Sequence, residues 1–315
     1  MSHRYVLYGE CLGSTMAFPE LREVAAGSPR WSFRTATSLE PMVAPSELGA
    51  ECIYADVHAR LYRHAAGHRI IVDDTGSFDL SADGRDICWE ERAASWPDFV
   101  RAHLMGRVLA TSMFLDGWLP LHGSAVHLAG GVVAFLAPKG FGKSSLALAL
   151  TQQGARLVTD DTLPVEPNAD STGRPSAWPG VHSLRVRDDS MRAVGLAGPT
   201  SGTREGKRLL TGVAADRRAE QRAPLSAIYL IDPVAPQDGA ALPARSLMPP
   251  LLAAMSVVAH VKVGKMLGAS AAGPMLERAV GITRNVPVHR LHTPRDLALL
   301  PHLAATIIQW HGGVA

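Results

Sequence analysis

The run "GVVAFLAPKGFGKSSLALALTQQGARLVTDD", residues 131–161, constrains the fold of this 315-residue chain more than any other stretch. Positions 132–136 are apolar and β-rich, as in a buried strand. Positions 137–143 form a loop holding Gly140 and Gly142. Positions 144–153 are rich in alanine and leucine and read as a helix that Gly154 can end in a left-handed conformation. A strand, a glycine-bearing loop and a helix in this order aim backbone N–H groups and the positive helix end at one point, which makes a phosphate site. The loop fits GxxxxGK[ST] except at its first position, where Ala137 replaces glycine. That alanine costs only if the position needs positive φ. The expected nucleotide-binding residues are Lys139, Gly140, Phe141, Gly142, Lys143, Ser144 and Ser145. Lys143 would lie against the β- and γ-phosphates, and Ser144 would offer its hydroxyl to Mg²⁺. In the empty protein Lys143 is expected to be an exposed charge. The competing reading is a chance match in a solvated lysine turn, and the flanking strand and helix argue against it.

After Gly154, positions 156–159 read as a short strand that ends in Asp160 and Asp161. Neighbouring side chains of a regular strand face opposite ways, so both carboxylates reach one phosphate only if the strand has ended there. The carboxyl edge of an α/β sheet is where ligands bind. Two acids beside Mg²⁺ could divide the work, one supporting the metal and the other accepting the proton of an attacking hydroxyl. Asp73–Asp74 and Asp188–Asp189 follow no such loop and read as solvated turns.

Composition narrows the setting. With 47% hydrophobic and 19% charged residues the chain can bury a sizeable core. A net charge of +2, from 31 basic and 29 acidic residues, gives no field that would draw nucleic acid. Cys11, Cys52 and Cys88 lie far apart and form no CxxC, which argues for reduced thiols over a disulfide framework or a zinc site. "MSHRYVLYGE" has no charged leader followed by an apolar stretch, and no apolar run reaches membrane-spanning length. A cytoplasmic protein without a nucleic-acid or membrane partner is expected; a homo-oligomer is left open.

Two domains are expected, 1–95 and 96–315. In the first, stretches such as "RYVLYGE", "ECIYADVHARLY", "HRIIVDD" and "GSFDL" are bounded by turn residues, as in a mainly antiparallel sheet. From Trp96, Val100, Leu104, Val108, Leu109, Met113 and Leu115 recur at helical spacing after Pro97, giving a helix of about twenty residues that ends near Gly117. "LPLHGSAVHLAGGVVAFLAP" then reads as a hairpin turning at Gly130 and Gly131.

The runs "LHGSAV", "GFGKSS" and "GARLVTDD" resemble the corresponding parts of HPr kinase/phosphorylase and its relatives, whose nucleotide fold is similar to that of phosphoenolpyruvate carboxykinase. The resemblance covers residues 118–166 specifically and the remainder diffusely. It implies an α/β fold with a phosphate-loop, HPr-kinase-like (PEP-carboxykinase-like) domain preceded by a small β-rich N-terminal domain. It also implies ATP and Mg²⁺ as cofactors, Lys143 and Ser144 as phosphate and Mg²⁺ ligands, Asp160 as catalytic base, Asp161 as a metal-linked carboxylate, and His122 near the transferred phosphate. The competing reading of His122 is a hairpin histidine bonded to backbone. His127, five residues along the strand, points to the other face. The glycine-rich "RGLG"-type segment of true HPr kinase/phosphorylases is not found after the aspartates, which argues against HPr as the substrate. The ending "VPVHRLHTPRDLALLP" and the β-rich start look more like the related kinases of bacterial peptide-modification (RiPP) clusters, some of which phosphorylate the C-terminal serine of a lasso-peptide precursor.

Four other stretches carry expectations. "PTSGTREGKRLL", with Arg204, Lys207 and Arg208, is a candidate lid, or else a solvated loop. "PLSAIYLIDP" is one more buried strand, with Asp232 at its carboxyl end. Residues 252–270 form an apolar helical stretch carrying Lys262 and Lys265. His289 and His292, in the closing strand, show no metal spacing. The resulting expectation is an ATP- and Mg²⁺-dependent kinase acting on a serine hydroxyl of a peptide or small protein. A nucleotide-binding sensor or scaffold without transfer, and a small-molecule or sugar kinase, are the alternatives.

Overall fold

The computed structural model describes residues 3–54, 56–92, 96–167, 173–196, 201–202, 208–210, 213–234 and 243–315. Nine strands come first: β1 (His3–Leu7), β2 (Glu10–Ser14), β3 (Arg22–Glu23), β4 (Trp31–Ala36), β5 (Ser46–Tyr54), β6 (Val57–His64), β7 (Gly67–Val72), β8 (Gly76–Leu80) and β9 (Asp86–Glu90). A helical segment follows as α1 (Pro97–His103), a π turn over Leu104–Val108, and α2 (Leu109–Leu115). Next come β10 (Leu119–Leu128), β11 (Gly131–Leu136), α3 (Lys143–Gln152), β12 (Arg156–Glu166), β13 (Ser176–Ala177), β14 (Leu184–Val186) and α4 (Asp188–Ala193). The rest is β15 (Ser201–Gly202), β16 (Arg208–Leu210), β17 (Ala223–Val234), β18 (Ala244–Leu247), α5 (Pro250–Ala259), α6 (Gly264–Leu267), α7 (Ala272–Asn285), β19 (Val288–Pro294) and α8 (Leu300–Trp310). The fold is mixed α/β with a β-rich N-terminal part.

The chain forms two compact units, one of Met1–Pro120 with Val261–Arg278, the other of Leu121–His260 with Ala279–Ala315. In the first, one sheet runs in the order β3-β1-β2-β4-β9-β8-β7-β6-β5. Its pairings are antiparallel except β2 with β4 and β4 with β9, which are parallel. Along β4 buried and exposed residues alternate, so Trp31 and Phe33 enter the core while Ser32 and Arg34 face out. The Trp31 indole donates to Ser112 Oγ at 2.8 Å, tying the sheet to α2. The Arg278 guanidinium lies 4.2 Å over the Phe114 ring and donates to the carbonyls of Phe114 at 2.7 Å, in the last turn of α2, and of Trp118 at 3.0 Å, just past it.

The second unit holds a sheet ordered β11-β10-β12-β13-β17-β19-β18, and β11 also pairs in parallel with β17. Strands β11, β10, β12, β13 and β17 therefore close into a ring. β11 is buried along its whole length, as a strand flanked on both sides requires. Helix α3 packs Leu146, Ala147, Leu148, Ala149 and Leu150 into a core shared with Leu300, Leu303, Ala304 and Ile307 of α8. Each leucine buried there stabilises the unit by roughly 2 kcal/mol. The core thus fixes where the first turn of α3 points.

Two expectations change. The stretch 252–270 is not one helix but α5 and α6. The His260 carbonyl accepts from the His122 N–H at 2.7 Å, and the Lys262 N–H donates to the Pro120 carbonyl at 2.9 Å. Pairing with the start of β10 takes Val261, Lys262 and Val263 out of the helix. Asp188–Asp189 is not a solvated turn; it opens α4, where acidic groups favour the positive helix end. Arg204 and Lys207 lie outside the described residues, and Arg208 opens β16. Among the described residues no helix is long and apolar enough to cross a membrane.

Candidate functional site

From β11 the chain turns into α3 through the predicted loop. Gly140 and Gly142 have φ of +92° and +90°, with open space where a Cβ would stand, so glycine is needed there for its backbone and not for room. Ala137 lies outside the positive-φ region and is buried, so alanine meets no backbone penalty in the position of the missing glycine. Gly142 caps α3 without a side-chain bond, so no capping side chain takes the first amides of the helix. Gly154, at φ +107°, follows the end of α3 as expected.

Lys143 differs from its expectation. It is buried, and its Nζ donates to the carbonyls of Ala137 at 2.6 Å and Pro138 at 3.3 Å. An ammonium inside a low-dielectric turn takes the nearest acceptors, and here the loop's own carbonyls supply them. Lys139, Gly140 and Phe141 are exposed. Ser145 donates to Ser190 Oγ at 2.8 Å, which joins α3 to α4.

The aspartates hold a second correction. β12 does not end at Thr159; it runs through both acids to Glu166. Alternation is broken inside the strand instead, because Asp161 has a φ of +150°, a conformation L-residues rarely adopt. Its effect is visible on β10. His122 and Ser124, two residues apart, share a face of that strand. Asp160 accepts from Ser124 Oγ, while Asp161 meets the His122 ring, with Nδ1 at 3.1 Å from its carbonyl oxygen and 3.3 Å from Oδ1. Two consecutive carboxylates thus reach one face, and the backbone distortion at Asp161 makes that reach.

Their environments differ. Asp160 is buried and also accepts from the Arg185 N–H at 3.0 Å. Burial pushes its carboxyl above the ordinary range, against the hydrogen bonds from Ser124, the Arg185 amide and Ser144, and the Asp161 charge pushes the same way as burial. Asp161 has a side chain about two-fifths exposed, like that of His122 beside it.

Sequence reasoning passed over Ser124 and His260. His260 caps the end of α5, and its Nδ1 lies 2.8 Å from the Ser256 carbonyl. Burial pushes its pKa down, the Ser256 carbonyl opposes this, and the charges of Lys143 and His122 push it down further. A neutral imidazole therefore stands within electrostatic reach of the loop lysine. Ser124 had a signal, since it lies two residues after His122 in the hairpin; His260 had none in its apolar run. Asp232 forms ion pairs with Arg290 at 3.6 Å and His292 at 3.5 Å at the sheet edge.

No family model matches the chain, and no curated protein matches it. Among solved structures it is similar to the Hpr(Ser) kinase/phosphatase from Coxiella burnetii, with 15% identity over 61% of this chain and 95% of that one and a TM-score of 0.33.

Proposed function

We propose that the chain is an ATP- and Mg²⁺-dependent kinase that moves the γ-phosphoryl group to a serine hydroxyl of a peptide or small protein. The observation that carries this is the convergence, in one unit, of the glycine loop with Lys143, the first turn of α3, and an aspartate pair turned to one face beside His122. The motif resemblance of "LHGSAV", "GFGKSS" and "GARLVTDD" supports the same reading. The C-terminal serine of a lasso-peptide precursor is the acceptor to try first, on resemblance alone.

The donor set suits Mg²⁺. Ser144 and the two carboxylates offer hard oxygen atoms, and a Mg²⁺ completed by phosphate and water needs only one or two protein carboxylates. Bound there, Mg²⁺ would neutralise charge on the transferred phosphoryl. Lys143 exchanges its loop carbonyls for phosphate oxygens, and the α3 amides hold the same oxygens. The serine oxygen bonds to the γ-phosphorus as the bond to the β-bridging oxygen breaks, its proton passes to an aspartate, and ADP leaves.

Asp160 as the proton acceptor is supported by its raised pKa, which makes it a stronger base than an ordinary carboxylate. A specific observation favours the exchanged roles. Asp160 is bonded to Ser144, the Mg²⁺-binding serine of the motif, whereas Asp161 is open enough to meet a hydroxyl. Single-turnover transfer from labelled ATP to a serine-ending peptide, over a Mg²⁺ series, separates the two. With Asp160 as base, Asp160→Asn lowers transfer by about two to four powers of ten at every Mg²⁺ concentration, and Asp161→Asn raises the Mg²⁺ requirement. The reverse result exchanges the roles. Label that never leaves the nucleotide in the wild-type protein would instead identify a sensor.

A further inference from the structure

Beside the phosphate loop, within the same unit, lies a cavity of 380 Å³. It shares Gly140, Gly142 and Ser145 with the loop and the start of α3, and extends from there between the end of β17, the end of β19 and the first turn of α8. Its floor is apolar, formed by Leu146, Ile231, Leu300 and Leu303. Its rim carries Phe141, Leu297 and Leu299, exposed by 40%, 38% and 43%. Three large apolar side chains left in water around one hollow mark a place that a flat apolar group would cover.

The polar side chains on its lining are few: Ser145, Thr293, Arg295 and Asp296. Pro233 and Pro294, near the ends of adjacent parallel strands, bring no N–H to the cavity. Arg295 donates from Nε to the Pro233 carbonyl at 3.3 Å, and Asp296 Oδ1 accepts from the Ala298 N–H at 2.9 Å. The Ser145 hydroxyl is bonded to Ser190. A ligand whose phosphates sit on the loop amides would carry its organic end into a space lined mainly by apolar side chains, able to stack on it and enclose it.

We propose that this cavity takes the nucleobase and ribose of a purine nucleoside triphosphate and holds the base by stacking and apolar contact, so that ATP and GTP are bound alike. The inference rests on the phosphate-loop reading above and adds the determinant of nucleotide choice. Leu297 and Leu299 are exposed, so Leu297→Ser/Leu299→Ser leaves the core intact. Calorimetric titration of both proteins with ATP, GTP and inorganic tripolyphosphate, in Mg²⁺ and without acceptor, makes the test. The wild-type protein should bind ATP and GTP within about threefold of each other and tripolyphosphate at least about tenfold more weakly. The double variant should lose about fivefold or more for both nucleotides and keep its affinity for tripolyphosphate. Unchanged nucleotide affinity in the variant, or a parallel loss for tripolyphosphate, overturns the cavity assignment. A wild-type preference above about tenfold for one purine overturns selection by stacking. If none of the three binds the wild-type protein, the phosphate-loop reading itself fails and the cavity assignment goes with it.

Discussion

Three paired arginines of the N-terminal unit and the two covered charges beside the glycine loop of the second unit are held in different ways. In the N-terminal unit these arginines meet opposite charges that fix them in place. Arg69 is forked onto Asp79 and reaches the Glu40 carbonyl at 2.6 Å, Arg101 bridges Glu20 and Asp98, and Arg30 meets Asp116 and Glu10. In the second unit the buried carboxylate of Asp160 is held by hydroxyls and an amide, and the buried ammonium of Lys143 by carbonyls. A charge matched by a fixed counter-charge serves architecture, because removing either partner leaves the other stranded. A charge held by neutral dipoles keeps a perturbed affinity for protons or ions, and those dipoles can re-partner when a ligand arrives. The one described non-glycine residue between Lys143 and His260 with positive φ, Asp161, sits at this point, as stored backbone strain does at ligand sites.

The largest effect that could break the contrast is at Lys143. On the proposed kinase reading, Lys143→Ala should lower single-turnover phosphoryl transfer by about three powers of ten or more, because it removes the cation that would meet the transferred phosphoryl. The melting temperature should move by only a few degrees (about 1 kcal/mol), since the lost bonds go to carbonyls that water can reach once the ammonium is gone. Transfer at the wild-type rate with a normal melting curve would remove the phosphate-loop assignment. Collapse of the fold would put Lys143 in the architectural class with Arg69.

How far the sequence could be read follows the same division. The loop and α3 were legible because their signal is contiguous: strand, two glycines, lysine and helix within 22 residues, 132–153. The environment of Lys143 was not, since a motif gives the identity of a lysine and not the acceptors it finds without ligand. The placement of the aspartates was half legible. Their adjacency was plain, but a strand that continues while its alternation breaks depends on the register of β12 beside β10, which no local pattern carries. His260 was hidden because its role comes from the return of a distant segment to the start of β10. In the first unit the strand runs were visible, but the parallel pairings of β4 were not, because the connections that bring β2 and β9 to its two edges leave no periodicity behind.

A second test takes the first unit by its buried histidine. His103 is almost fully covered, and burial with the charge of Arg107 lowers its pKa to about 4, against a weaker opposing pull from Asp74. Its folded pKa lies below the unfolded value near 6.5, so between those values the unfolded chain takes up a proton that the folded unit refuses. Stability is complete above pH about 6.5 and falls as pH drops towards about 4. Between pH 7.5 and 5.0, the acid loss in urea unfolding should be about 1–2 kcal/mol larger for the wild-type protein than for His103→Asn. Comparing each protein with itself at two pH values cancels any general cost of the substitution. His311, also lowered to about 4, acts in the same direction in the second unit, so the variant keeps part of the acid sensitivity. An equal acid loss in both proteins would mean that His103 is protonated in the folded state.

The smallest expected effect concerns the residue that departs from the loop pattern. Ala137 is buried, has an ordinary backbone conformation, and contributes the carbonyl 2.6 Å from Lys143 Nζ. The turn takes its positive φ values from Gly140 and Gly142, so a glycine at 137 has no left-handed position to relieve. Ala137→Gly should leave ATP affinity within about threefold of wild type and lower stability by about 0.4–1 kcal/mol, the cost of a freer unfolded chain and a lost methyl contact. Titration with ATP and a denaturant melt measure the two quantities on one sample. An affinity gain above about tenfold would mean that the natural loop is held in a poor geometry by its alanine. The neutral-dipole cradle around Lys143 would then be a trap that keeps the lysine from phosphate, and the contrast between fixed and re-partnering charges would lose its clearest example.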